Sequence, residues 1–170
     1  LNEVTSTKFK KTIQMVTYVP HFISTVVVVA IMIIFLSPNT GIINNILEVL
    51  GFERQNFMAV PEYFKTIYVV SGLWQNIGWN SIIYFAALSG ISPELHEAAK
   101  VDGANKLQRI RHINIPGILP TIIILLIMNM GHIMSVGFEK IFLMQNPLNM
   151  AASDVISTYV YRMGLVNQEY

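Results

Sequence analysis

The stretch Ser92-Pro93-Glu94-Leu95-His96-Glu97-Ala98-Ala99-Lys100-Val101-Asp102-Gly103, continuing to Ile113-Asn114-Ile115-Pro116, is a polar island in an apolar chain. Both of its flanks are free of formal charge for longer than the roughly 20 residues that a bilayer-spanning helix needs. The stretch therefore predicts a structured loop at a membrane surface. Structured loops at a membrane surface usually bind a partner. The function therefore depends on what this loop binds.

The composition supports a membrane protein. Hydrophobic residues make up 53% and charged residues 12% of the chain, against about 45–50% and about 25% in soluble domains. The net charge of +1 argues against a nucleic-acid partner, which needs a clustered excess of Lys and Arg. The 170 residues contain no cysteine, which excludes a disulfide framework or a thiolate metal site within them.

Three apolar runs predict membrane spans, at about residues 19–36, 66–91 and 118–136. In lipid only helices and closed barrels satisfy the backbone, so each run is expected to be helical. The predicted fold is an all-α, polytopic membrane helical bundle. We expect residues 1–170 to form one transmembrane domain that is incomplete at both ends, since the chain starts without Met and ends on Gln168-Glu169-Tyr170 without a terminating feature.

The second run carries a polar face. Gln75, Trp79 and Asn80 share one side of a helix, and Asn76 lies one turn before Asn80. Amides in hydrocarbon are unfavourable without partners, so this face is expected to point into a bundle or a wet path. Two interpretations stay open: structural hydrogen bonding between helices, or a solute pathway formed by Gln75, Asn76, Trp79 and Asn80.

Lys and Arg counted beside the spans predict the orientation. The N-terminal segment and the central loop carry seven: Lys8, Lys10, Lys11, Lys100, Lys106, Arg109 and Arg111. The other two segments carry four: Arg54, Lys65, Lys140 and Arg162. The loop at residues 92–117 is therefore predicted to be cytoplasmic, and the segments from Ser37 to Lys65 and from Gly137 to Tyr170 to face out.

The central loop predicts two short helices with a bend. Ser92, Pro93 and Glu94 supply a capping hydroxyl, a first helical residue without an N–H, and an anion at the positive helix end. The first helix should run to about Asp102, with Gly103 as its left-handed cap. A second short helix, from about Asn105 to His112, is expected to stop at Pro116.

This loop resembles the cytoplasmic signature of binding-protein-dependent ABC import permeases. The signature reads Glu-Ala-Ala, three residues, Gly, nine residues, Ile, one residue, Leu-Pro. Here it is Glu97-Ala98-Ala99, Gly103, Ile113 and Ile115-Pro116, with Ile115 in place of Leu. The context is most similar to the carbohydrate-uptake branch, and four further stretches extend the resemblance: Pro20–Ser24, Trp74–Asn80, Gly137–Glu139 and Tyr159–Arg162.

The resemblance implies a type I ABC importer transmembrane domain in the plasma membrane of a prokaryote, without the family's first spanning helices and its last one. In that family the first loop helix enters a cleft of a cytoplasmic ATPase subunit. The coupling role would fall to residues of the first loop helix and its cap: Glu94, Glu97, Ala98, Ala99, Asp102 and Gly103.

The resemblance also implies the partners. These are ABC ATPase subunits, a second permease subunit, an extracellular solute-binding protein, a carbohydrate substrate and membrane lipid. The chain carries no Gly-rich phosphate loop, so we expect no enzymatic activity and no cofactor of its own. ATP and Mg would be used by the partner ATPase.

Other functions compete with import. A membrane sensor or scaffold would use the loop to bind a cytoplasmic regulator without transport. An ion-gradient-driven transporter would use His132, although a His beside Asn129 is more often a satisfied interhelical hydrogen bond. The loop helix could also bind only lipid headgroups, but its mixed charges fit that poorly. A membrane enzyme has least support, because no nucleophile, acid–base pair or metal-ligand set converges.

Overall fold

A computed structural model describes residues 6–132 and 135–166, and within these ranges every regular element is helical. The predicted all-α fold is confirmed. The helices are α1 Thr7–Tyr18, α2 Thr25–Phe35, α3 Ile42–Val49, α4 Pro61–Ser89, α5 Pro93–Val101, α6 Lys106–Met130, α7 Phe138–Met144, α8 Met150–Ser153 and α9 Ile156–Val160. A 3₁₀ turn covers Val19–Phe22, one π turn lies inside α6 at Ile110–Asn114, and another follows α9 at Tyr161–Val166.

The chain divides into two compact units, and one boundary between them falls within α4. The first unit holds α1, the part of α4 from Asn76 onward, α5 and α6. The second holds α2, α3, the part of α4 up to Gln75, and α7 to α9.

Two glycines allow close packing in the first unit. Gly78 of α4 is buried, and a Cβ atom placed there would overlap the backbone carbonyl of Thr17 in α1. At Gly117 of α6, a Cβ would lie 2.7 Å from the Ile91 Cδ1 atom. Only a residue without a side chain fits at Gly78, because the obstructing atoms belong to the α1 backbone.

A small apolar core holds the second unit together. Val29 of α2, Phe64 of α4, and Ile141 and Met144 of α7 are buried against one another. Dispersion and the hydrophobic effect stabilise this contact. The core fixes the start of α4 beside α2 and α7.

Asn44 is the polar counterpart of that core. Its side chain is fully buried in α3, donates to the carbonyls of Leu36, Ser37 and Gln55 at 3.3, 3.0 and 3.0 Å, and accepts from the Gln55 N–H at 2.8 Å. One amide therefore satisfies both the end of α2 and the segment that follows α3. Asn44 lies in the short helix Ile42–Val49, which is followed by Gly51 at φ +85°.

The predicted first span, 19–36, is wrong as one continuous helix. Pro20 lies in a 3₁₀ turn, and a new helix starts after Ser24, whose hydroxyl accepts from the Val27 N–H at 3.4 Å. The 11 residues of α2 reach only about 16 Å at 1.5 Å per residue. The hydroxyl cap interrupts the helix that the apolar run length predicted.

The region around Pro116 also differs from the prediction. The expected helix from Asn105 to His112 does not stop at Pro116 but continues as α6 to Met130. The π turn at Ile110–Asn114 immediately precedes the proline, and a widened turn makes room for the ring and the missing N–H. The predicted third span, 118–136, thus starts within a longer helix that ends at Met130; residues 133 and 134 lie outside the described residues.

The predicted second span, 66–91, is helical as α4, which runs from Pro61 to Ser89. By length and composition, α6 is the single described helix apolar enough to cross a membrane, with a mean hydropathy of 2.0 over its window and none of that window buried. A second candidate passes the same test of length and apolar composition only if two helical segments are counted as one broken span, Thr7–Phe22 and Thr25–Phe35.

Replacing Gly78 with Ala should destabilise the first unit, because the new methyl group overlaps the Thr17 carbonyl and α1 must shift. Overpacking of this kind costs roughly 1–3 kcal/mol, which thermal unfolding of the purified permease in detergent should show as a lower midpoint. Gly90→Ala is the matched control, since a Cβ there meets only the Ala87 carbonyl at 3.4 Å. Equal midpoints for the two variants would contradict the close α1–α4 packing.

Candidate functional site

Helix α5 begins as the sequence predicts. The Ser92 hydroxyl accepts from the Glu94 N–H at 3.3 Å, Pro93 is the first helical residue, and Glu94 lies in the first turn. These features satisfy a free backbone donor and place an anion at the positive end of the helix. The start of α5 is thus fixed by local chemistry.

The end of α5 is fixed by Gly103. With Asp102 as the C-cap residue, the Gly103 N–H donates to the Lys100 carbonyl at 3.1 Å and the Ala104 N–H to the Ala99 carbonyl at 2.8 Å. This is the Schellman pair of bonds, and it needs a left-handed residue. Gly103 has φ +75° with no atom near the position of a Cβ, so the backbone, and not crowding, demands glycine.

The next turn is locked by a capping box. The Asn105 side chain accepts from the Gln108 N–H at 2.9 Å, and the Gln108 side chain accepts from the Asn105 N–H at 2.7 Å. The His112 ring nitrogen Nδ1 lies 3.0 Å from the Gln108 carbonyl. The sequence predicted a helix here but not this reciprocal cap, which the Asn-x-x-Gln spacing could have indicated.

The two halves of the loop border an open cleft of about 330 Å³, which is lined by Ala99, Asp102, Gly103, Ala104, Gln108, Arg109, His112 and Ile113. Glu94, Glu97 and Ala98 of α5 are exposed, whereas Ala99 is half-buried beside the cleft and the exposed cap residue Asp102 also lines it. The structure therefore brings the six predicted coupling residues together on one capped helix. Their coupling role stays a prediction.

The predicted polar face has one clear structural bond. The Gln75 side-chain amide donates to the Ile23 carbonyl at 2.9 Å, at the break before α2. This bond favours the structural interpretation for Gln75. Asn76 is half-buried, and both Asn76 and Trp79 interact with other residues, whereas Asn80 is exposed. A solute-pathway role for the four residues stays a prediction.

His132 and Asn129 bond within their own helix end. The Asn129 amide donates to the Leu125 carbonyl at 2.7 Å, and His132 Nδ1 lies 3.1 Å from the Met128 carbonyl. The described contacts therefore join neither side chain to another helix. Among the described residues, no group of His, Asp and Glu has the arrangement of a metal site.

Comparison with protein families identifies the chain. Residues 4–166 match the family described as "Binding-protein-dependent transport system inner membrane component". The chain belongs to this family. The match confirms the resemblance that the Glu97–Pro116 signature carries, and it places the chain among membrane transport components.

A relative of this permease is named for carbohydrate transport. The chain is 39% identical over 170 residues to the "Polygalacturonan/rhamnogalacturonan transport system permease protein YteP" of Bacillus subtilis (strain 168), covering 100% of the chain and 53% of the relative. It is 40% identical to the "Protein LplB" of the same organism, again over 100% of the chain and 54% of the relative. The chain thus spans about half the length of these relatives.

Solved structures show the same fold. The permease is 47% identical to a chain of a bacterial ABC transporter involved in the import of the acidic polysaccharide alginate, with a TM-score of 0.94 over 99% of this chain and 59% of the other. A second structure, of an alginate ABC transporter in complex with an alginate pentasaccharide-bound periplasmic protein, gives a TM-score of 0.93 at 47% identity, over 98% and 58% of the two chains.

Sequence reasoning missed the glycine contact between α4 and α1. Gly78 lies between Ile77 and Trp79 in a long helix. A glycine inside a helix lowers stability unless it has a packing role, and this signal could have singled it out. Its partner, Thr17, could be found only from the structure.

The two roles of the polar face are separable by substitution in the permease. Gln75→Leu leaves the Ile23 carbonyl without its amide donor and should lower stability by about 1–3 kcal/mol. Asn80→Leu, at an exposed position of the same helix, should leave the thermal midpoint unchanged and lower uptake if Asn80 contacts solute. Thermal unfolding and uptake measured on both variants check this; a larger thermal loss for Asn80→Leu would contradict the structural role of Gln75.

Proposed function

We propose that this chain is the translocating part of an ATP-driven importer for oligosaccharides. The observation that carries the proposal is the doubly capped α5 helix, which presents Glu97 and Ala98 on its open side within the family's signature. The names of the relatives support a carbohydrate substrate. The alginate transporter structure in complex with a pentasaccharide-bound periplasmic protein supports an extracellular binding protein as the donor.

The coupling step follows from the stiffness of α5. Ser92 caps one end, Gly103 turns the chain at the other, and the Asn105–Gln108 box begins α6 directly afterwards. A short helix fixed at both ends moves as a unit, so closure of an ATPase cleft around α5 would displace α6 with it. Two access states interconvert only if the ATPase contacts them differently, and α5 provides the contact that differs.

The orientation of the other segments and the expected partner proteins are consistent with this role. Residues 92–117 face the cytoplasm, where two ATPase subunits use ATP and Mg. The segments after α2 and after α6 face outward and receive the solute-binding protein. A second permease subunit completes the pathway, and lipid covers the exposed apolar side chains of α6, such as Ile124 and Ile127. The assembly lies in a prokaryotic plasma membrane as a multi-pass protein.

Gly103→Val should uncouple uptake from ATP hydrolysis. A residue with a Cβ in the left-handed conformation costs roughly 1–2 kcal/mol, so the valine side chain opens the turn and frees the end of α5. The predicted result is a drop of about tenfold or more in saccharide-stimulated ATPase activity and uptake, with the permease still present in the membrane.

Gly51→Val is the matched control for this change. Gly51 also caps a helix at positive φ, and no atom lies near the position of its Cβ, so the local backbone cost is the same. Its helix, α3, lies outside the loop. Equal losses in the two variants, or normal coupling in the Gly103→Val permease, would contradict the coupling role.

Glu97→Lys should lower uptake without lowering stability. Glu97 is exposed, and no hydrogen bond or ion pair is described for it within residues 6–132 and 135–166, so reversing its charge removes only an outward contact. Glu53→Lys, at an exposed carboxylate outside the loop, is the control. Co-purification of the ATPase should fall for the Glu97 variant alone; retention of the ATPase with normal uptake would favour a loop that binds another partner.

A further inference from the structure

Lys140 holds an unusual position in the second unit. It lies in the first turn of α7, and its Nζ donates to the Tyr68 carbonyl of α4 at 3.3 Å. The ammonium also lies 5.1 Å from the centroid of the Tyr68 ring. Gly72 lies one turn further along α4, and a Cβ there would be in ordinary van der Waals contact with Nζ, at 3.5 Å. The lysine head group is thereby directed along α4.

The Lys140 ammonium has no carboxylate partner among the residues that the structure describes. The ion pairs in this part of the chain join Arg54 with Glu48 and Arg162 with Asp154. Partial burial lowers the pKa of Lys140, and no anion opposes that shift. Half-desolvated charges without a counter-charge are unfavourable, and they concentrate at functional sites.

The hydrogen bond to Tyr68 does not explain why a lysine is present. The same carbonyl also accepts from the Ser71 hydroxyl at 3.0 Å, so it is satisfied without the ammonium. A lysine ammonium carries three N–H donors, and the described residues use one of them. Two donors and an uncompensated charge therefore remain for a ligand.

We propose that Lys140 binds the carboxylate of an acidic sugar unit, so that the importer's substrates are anionic oligosaccharides. The proposal rests on the proposed function and adds the substrate class. A carboxylate supplies the missing counter-charge and accepts the remaining N–H donors. Two relatives are named for polygalacturonan and alginate, which are polymers of uronic acids, in agreement with this class.

The test uses the full-length permease assembled with its ATPase, second permease subunit and binding protein. The probes are an α-1,4-linked galacturonate tetrasaccharide and its methyl ester, in which the C6 carboxylates are replaced by uncharged methyl ester groups. The measurement is the concentration of each probe that half-maximally stimulates ATP hydrolysis by wild type, Lys140→Met and Lys140→Arg. Lys65→Met, at an exposed lysine at the start of α4, is the control.

The expected result is a rise of about tenfold in the half-maximal concentration of the acid for Lys140→Met, with little change for the ester. Lys140→Arg should restore most of the preference for the acid, and Lys65→Met should match wild type. Equal changes for acid and ester would overturn the proposal and assign Lys140 a structural or lipid-binding role.

If the ester does not stimulate ATP hydrolysis by the wild-type transporter, the salt dependence of the acid's effect provides a second test. Salt screens a partly exposed charge pair, so raising the ionic strength from about 50 to about 500 mM should weaken the acid's effect more in wild type than in Lys140→Met. Equal salt dependence in both would overturn the proposal. If no saccharide stimulates wild type at all, the import function itself fails, which is a distinct outcome.

Discussion

Backbone groups set free where a membrane helix breaks must find partners within the protein, because hydrocarbon offers none. The structure meets this constraint with side-chain hydrogen bonds at the helix breaks. Gln75 donates to the Ile23 carbonyl before α2, and Ser24 caps the helix that follows. Asn44 satisfies the end of α2 and the segment after α3. These bonds satisfy the backbone groups that the two breaks set free.

Freed backbone groups are also satisfied within the loop and at the start of the helix that follows it. At Gly103 the freed carbonyls of α5 accept the N–H groups of the turn, and at Asn105 a capping box satisfies the first donors of α6. At Pro116 the helix continues, because a π turn adjusts the spacing. The loop is therefore a continuous, hydrogen-bonded connection between α5 and α6, which suits it to transmit movement.

Local signals in the sequence predicted a good part of this. Ser92, Pro93 and Gly103 define α5 because caps depend only on residues close in the chain. Charge-free runs predicted the helical regions. The break at Ser24 was missed because run length cannot register a hydroxyl cap. Pro116 was misjudged because a π turn accommodates a proline that, in a regular helix, would end it.

Tertiary contacts could not be predicted from one sequence. Gly78 meets the backbone of Thr17 in another helix, far away along the chain, and no local pattern pairs them. Gln75 was predicted only as a residue that needs a hydrogen-bond partner. Its acceptor, the Ile23 carbonyl, is available because the helix breaks before α2. Lys140 contributed to the orientation count as an outward charge, whereas its place beside Tyr68 depends on the packing of α7 against α4.

The central claim is that α5 inserts into an ATPase subunit, and site-specific crosslinking tests it most directly. The 170 residues contain no cysteine, so Ala98→Cys introduces one thiol on the open side of α5, and Val49→Cys introduces one at the exposed end of α3. With a thiol-to-amine crosslinker on the assembled transporter, Ala98→Cys should join the permease to the ATPase, in a yield that changes with ATP, and Val49→Cys should not. Absence of an ATPase adduct from Ala98→Cys, or equal adducts from both positions, would contradict the account.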